Sequence, residues 1–153
     1  MPDDATHELL KLSQQLLNSI DQQDWKTYSD LCDASLTAFE PEAVGNLVAG
    51  LPFHQFYFEM EGSGPPQASG EAGFQPPVAA NRLRRAQQSS ISSPAVRLMG
   101  DAAVVTYVRL TQRIQPSGRP STIACEETRV WQKQNGVWKH VHFHRSRCGS
   151  VEL

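Results

Sequence analysis

The chain has 153 residues, 39% of them hydrophobic and 20% charged, with six Phe, three Trp and three Tyr. That length suits one domain, the apolar content excludes disorder throughout, and three Cys exclude a miniature stapled by disulfides. A formal net charge of −2 without a Lys/Arg-rich aromatic stripe argues against nucleic-acid binding, and apolar runs of about five residues are too short for a bilayer.

The acidic start, Met1-Pro-Asp-Asp, lacks the basic and then apolar pattern of a signal peptide, so a cytoplasmic protein is expected. Residues 7–22 read as an amphipathic helix. Leu9, Leu12, Leu16 and Ile20 form its stripe, widened by Leu10 and Leu17, while Lys11, Gln14, Gln15, Asn18 and Asp21 take the other side. Asp24 is placed as the N-cap of a shorter helix with Trp25, Tyr28 and Leu31 on one face. Residues 36–45 suggest an extended piece ending at Pro41. A further helix is expected near Pro52, with Phe53, Phe56 and Tyr57 on its buried face.

Composition changes after Glu59. Residues 61–93 are rich in Gly, Pro and Ser and carry the basic run Arg82-Leu-Arg-Arg85, which reads as a long flexible insertion in a single domain. Residues 1–61 hold eleven acids against two Lys, and residues 62–153 hold twelve basic residues against five acids. That asymmetry favours mutual packing or head-to-tail association. From Pro94 onward, residues 95–99, 102–114, 121–133 and 137–146 read as antiparallel strands, with breaks at Gly100-Asp101, Pro116-Ser-Gly118 and Asn135-Gly136. Helices followed by a meander give an α+β fold.

Alternation places residues i and i+2 on one face of a strand. Val105, Tyr107 and Arg109 then share a face, as do Cys125, Glu127, Arg129 and Trp131, and also Val141, Phe143 and Arg145. Three arginines among large apolar side chains need anionic partners, because an unpaired buried guanidinium is costly. Glu127 is the internal candidate, beside Arg129. Two readings stand: a polar pocket built from Arg109, Arg129 and Arg145 that holds a carboxylate, or partly exposed faces whose arginines pair with acids.

The opposite face of the last strand reads Trp138, His140, His142, His144. Steps of about 6.6 Å keep these His from sharing one ion without another element, so no metal is expected. Cys32, Cys125 and Cys148 show no CxxC spacing and are expected to be buried or idle thiols. No phosphate loop, G-x-S-x-G or H-E-x-x-H motif is present, and no cofactor is expected. His54, Glu40 or Glu127 could supply an acid–base pair, but no spacing requires it.

Several runs carry a resemblance. Phe39-Glu-Pro-Glu-Ala, Gly45-Asn-Leu-Val48, Phe53-His54 and Phe56-Tyr-Phe-Glu59 form one group; Leu98-Met-Gly-Asp101, Tyr107-Val-Arg109, Glu126-Glu-Thr-Arg-Val-Trp131 and Val141-His-Phe-His-Arg-Ser146 form the second. Over about residues 7–60 and 94–147 the chain closely resembles the association (hub) domain of calcium/calmodulin-dependent protein kinase II. The resemblance implies a cone-shaped α+β fold of the nuclear-transport-factor-2-like (cystatin-like) kind, with a long helix in a curved antiparallel sheet. It implies a non-catalytic hub assembling itself into two stacked rings of roughly 12–20 copies, displaying kinase domains.

Arg109, Arg129, Arg145 and His54 match the family's pocket residues, implying a site for carboxylates or peptide segments. Three departures stand out. No kinase or calmodulin-binding segment precedes residue 7, so an excised domain or a free-standing hub is expected. The family's Trp after Glu59 is absent; Phe74 is the one aromatic between Glu59 and Tyr107, so the family's aromatic flap over the pocket is not expected. His140, with His142 and His144, suggests assembly sensitive to pH near 6–7. The alternatives are a ligand-binding dimer and an isomerase- or dehydratase-type enzyme on the same fold.

Overall fold

Helix α1, Pro2–Asp21, carries Asp3 and Asp4 in its first turn, where carboxylates meet the positive end of the helix dipole. In this computed structural model, which describes residues 2–55, 58 and 87–150, the helix fully buries Leu9, Ser13, Leu16 and Leu17 along one side. Asp24 caps α2, Trp25–Leu31, by accepting from the Thr27 backbone N–H at 3.1 Å.

Among the described residues seven strands follow: β1 Cys32–Phe39, β2 Val48–Ala49, β3 Gln87–Met99, β4 Ala102–Ile114, β5 Pro120–Gln134, β6 Val137–Arg145 and β7 Gly149–Ser150. They form one sheet in the order β2-β1-β6-β5-β4-β3, and β7 pairs with β5 beyond the end of β6. Strands β3 to β6 make the expected antiparallel meander, and β1 runs parallel to β6. The β5–β6 turn uses Asn135 and Gly136 at φ of 51° and 80°, the left-handed pair that a tight hairpin requires. Helix α1 lies on the inner face against β3 and β4. Leu36, Ala38, Val105, Trp131 and Phe143 complete the core beneath the helices.

Four local expectations are corrected. The extended piece begins at Cys32, not residue 36, and Pro41 opens a 3-10 turn, Pro41–Ala43. Residues 87–93, placed in the insertion, are strand: Gln87 to Ser92 pair with Arg113 to Val108, and ladder bonding outweighs their weak strand propensity. Residues 61–86, Phe56 and Tyr57 lie outside the described residues. Residues 51–55 are helical as expected near Pro52, but Phe53 is 39% exposed rather than on the buried face. Cys125 and Cys148 are joined in a disulfide rather than left as thiols, because β7 pairing carries the chain end to β5; Cys32 stays free and buried.

The alternation in β6 also breaks. Trp131 pairs with His140 and Val130 with His142, so Val141 is an extra residue, a bulge. Trp138 and His140 before it, and Phe143 after it, all turn inward. His142 and His144 lie on the far side, where each packs edge-on against Phe39.

Candidate functional site: a self-neutralised arginine cavity

A cavity of about 190 Å³ opens at one end of the inner face. All five residues singled out from the sequence line it: His54, Arg109, Glu127, Arg129 and Arg145. Regular alternation in β4 and β5 brings three of them together. Arg109 stands opposite Cys125 in the ladder, and Glu127 and Arg129 follow along the same face.

Arg129 is 1% exposed, and each of its nitrogens has a partner. Its Nε donates to the Tyr107 hydroxyl at 2.7 Å, one Nη donates to Glu127 Oε2 at 3.0 Å, and the other lies 3.3 Å from His140 Nε2. The guanidinium carbon sits 4.7 Å above the Phe143 ring. Since a guanidinium only donates, His140 Nε2 accepts and its proton resides on Nδ1, which faces Cys32 Sγ at 3.4 Å. Tyr107 donates in turn to Glu127 Oε1 at 2.8 Å. Burial alone would push the Glu127 pKa up. Arg129, Arg109 and the Tyr107 hydroxyl outweigh it and hold the carboxyl below its usual range.

Arg109 is similarly engaged. Its Nε donates to Ser89 Oγ at 3.0 Å, one Nη reaches Asp21 Oδ1 at 3.3 Å, and the other lies 3.8 Å from Glu127. Asp21 Oδ1 also accepts from Ser89 Oγ at 2.9 Å and Gln87 Nε2 at 2.7 Å. Arg145 differs. It is held from the loop after β1, donating to both Glu42 oxygens at 2.5 Å, with Glu40 at 3.8 Å. Its side chain is 18% exposed and that of Glu42 is 42% exposed.

Sequence reasoning thus gathers the arginines and Glu127 correctly but leaves out most of their partners. Asp21 was placed on the outer side of the first helix, yet it is buried. One signal was available: a carboxylate in the last turn of a helix opposes the dipole and needs a compensating cation. Ser89 fell within the assumed insertion. Glu40 and Glu42 sit in the Phe39-Glu-Pro-Glu-Ala run, but nothing local says that they meet a residue a hundred positions away.

His54 is 4% exposed, and its Nε2 has no hydrogen-bond partner. Burial, helped by the Arg129 charge, lowers its pKa to about 4. Burial and then Glu42 raise the Glu40 pKa. His140 is fully buried, and burial and Arg129 hold its pKa well below the usual value, whereas His142 is half-buried and bonded to Thr37 Oγ1 at 2.7 Å. The three His of β6 are therefore split by the Val141 bulge, His140 facing the core and His142 and His144 facing Phe39 on the other side. Among the described residues no group of three or more His, Cys, Asp or Glu is placed to hold a metal ion, and no helix is long and apolar enough to cross a membrane.

The family model for the calcium/calmodulin dependent protein kinase II association domain matches residues 5–68 and 77–149. The delta subunit of calcium/calmodulin-dependent protein kinase type II from Oryctolagus cuniculus is 42% identical over 147 residues. The match covers 95% of this chain but only 24% of that protein. The CamKII hub homology domain of Chlamydamonas reinhardtii superposes with a TM-score of 0.74 at 42% identity, covering 97% of this chain and 99% of that one. A nuclear transport factor 2 (NTF2-like) superfamily protein from Salmonella enterica shares the fold at a TM-score of 0.67 and 18% identity, over 95% of this chain and 92% of that one.

Proposed function

Because the chain belongs to the calcium/calmodulin-dependent protein kinase II association-domain family, we propose that it is a non-catalytic self-association module closing into two stacked rings of roughly 12–20 copies. The rings cluster kinase domains or other segments attached to the module or docked on it. The observation that carries this reading is the outer face of the sheet. While α1 covers the inner face, Val104, Val108, Leu110, Ala124 and Val130 point outward and remain part-exposed. An apolar sheet face left to water is a surface for another chain.

A second patch lies near the β1–β2 edge, where Phe39, Val44 and Leu47 are 45%, 69% and 52% exposed. An apolar surface running from β4 and β5 to the β1–β2 edge gives an assembly room for both a lateral contact and a contact between layers. Light scattering after size exclusion, over a range of concentrations, tests this. A mass of about 200 kDa or more, twelve copies of a 17.0 kDa chain, is expected. A fixed mass near 34 kDa, two copies, would instead favour a ligand-binding dimer.

The cavity serves, on this proposal, as a site for carboxylate-bearing small molecules or acidic peptide segments. Support comes from Arg145 near solvent beside an unpartnered His54 Nε2 and the aromatic walls of Tyr28, Phe58 and Phe143. Calorimetry with benzoate and with an acidic peptide checks it, and the absence of heat from both, in the chain and also once Glu42 is replaced by Gln, would make the arginines structural.

A further inference from the structure

We propose that Glu42 is a built-in competitor for the cavity, a carboxylate that occupies Arg145 until an incoming carboxylate displaces it. The inference rests on the reading of the cavity as a carboxylate site and says which arginine anchors the ligand and what must leave. The three inward arginines are not equivalent. Arg129 spends its donors on Tyr107, Glu127 and His140, and Arg109 spends its own on Ser89, Asp21 and Glu127. Those partners are buried and stand on β3, β4, β5, β6 or the end of α1, so a ligand would have to break the core to replace them.

Arg145 alone is neutralised by a residue that can leave. Glu42 sits in a 3-10 turn of three residues between β1 and β2, and its side chain is 42% exposed. Swinging it into water costs little, since a solvated carboxylate needs no protein partner. A ligand carboxylate taking its place forms the same two-pronged contact on the same guanidinium. Arg113, on the rim, is exposed, so water screens its charge and it offers a weaker anchor.

Charge and an orphaned atom point the same way. Arg109, Arg113, Arg129 and Arg145 face Glu40, Glu42 and Glu127, with Asp21 on Arg109, so the closed cavity carries no excess positive charge. A carboxylate added without removing one of these acids meets uncompensated repulsion. Glu42 is the acid whose departure restores the balance. One further polar atom in the lining that can donate to a carboxylate, His54 Nε2, is buried without a partner. The cavity that Arg145 lines therefore holds hydrogen-bonding capacity that the fold does not itself use.

The test titrates benzoate into the whole chain and into Glu42→Gln and Glu42→Ala, by calorimetry in low salt. Removing the competitor is expected to tighten benzoate on the order of tenfold in both variants, while Arg145→Gln abolishes binding. Binding by the variants with none detectable in the parent chain also supports the proposal. If the parent binds and both Glu42 variants bind equally or more weakly, the competitor role is overturned while the carboxylate site stands. If neither the parent nor the Glu42 variants bind, the carboxylate site falls and takes the competitor with it. Unchanged thermal unfolding of the Glu42 variants, whose side chain is exposed, keeps each comparison interpretable.

Discussion

Asp21, the last residue of α1, meets Arg109 of β4 at 3.3 Å, and both side chains are more than nine-tenths buried. The pair ties the end of the helix to the sheet at the wall of the cavity. Replacing Asp21 with Ala leaves a guanidinium in the interior with Glu127, at 3.8 Å, as its one remaining carboxylate among the described residues and Ser89 Oγ as a neutral acceptor. Losing one member of a buried pair costs about 3–5 kcal/mol. Urea unfolding of Asp21→Ala should show a loss of that order. The double variant Asp21→Leu with Arg109→Met should recover most of it. A loss below about 1 kcal/mol would mean that the pair is effectively solvated.

Stability should decline as the pH falls from 7 toward 4. His54 and His140 have folded pKa values below the ordinary 6.5, so the unfolded chain binds their protons first. Their contribution is complete above 6.5 and is lost as the pH drops through the folded value, about 4 for His54. Glu127 adds a second loss beginning near the ordinary carboxylate pKa of 4.5, because its folded pKa lies lower still. Unfolding free energies measured from pH 7 to pH 4 should fall by as much as about 3 kcal/mol from His54 alone. In His54→Gln that slope should be visibly shallower. An unchanged slope would show that His54 is protonated inside the fold.

The Cys125–Cys148 disulfide closes a loop with a sequence separation of 23. Cross-links of that span stabilise by about 3 kcal/mol through the unfolded chain. Reduction, or Cys148→Ser, should lower stability by that amount and release β7 from β5 while leaving the Arg129 network in place. Thiol counting checks the pairing directly. One thiol should react in the denatured, unreduced protein and three after reduction. In the native state Cys32 should resist alkylation, since burial pushes its pKa up to about 12.

Much of the site could be read from the sequence because β4 and β5 alternate without interruption. Over such a stretch, parity of residue number is enough to place Arg109, Glu127 and Arg129 on one wall. In β6 parity failed at Val141, where one extra residue returns His140 to the same side as Phe143. No residue-level pattern announces a bulge at that position. Asp21, Ser89, Glu40 and Glu42 were missed for a different reason. Their roles come from pairings between segments distant in the chain, such as Ser89 on Asp21, 68 positions apart, and Arg145 on Glu42, 103 apart. The Gln87-Gln-Ser-Ser90 stretch has the composition of a loop and becomes strand because β4 supplies a complete ladder for it.

The place of β6 in the sheet has a consequence for how the chain is made. It is the last long strand in sequence yet lies between β1 and β5 in space. A nascent chain that has emerged only as far as Gln134 can zip β3, β4 and β5 together, while α2, β1 and β2 have no sheet to join. The β1–β2 pair joins the sheet only when Val137–Arg145 leaves the ribosome and inserts between them, bringing Arg145 to Glu42 in the same step. Closure that waits for so distant a pairing is slow in folding terms. A chain truncated before β6 would therefore hold a split sheet, its two parts linked through α1 and each with an open edge prone to aggregation, rather than a slightly smaller version of the domain.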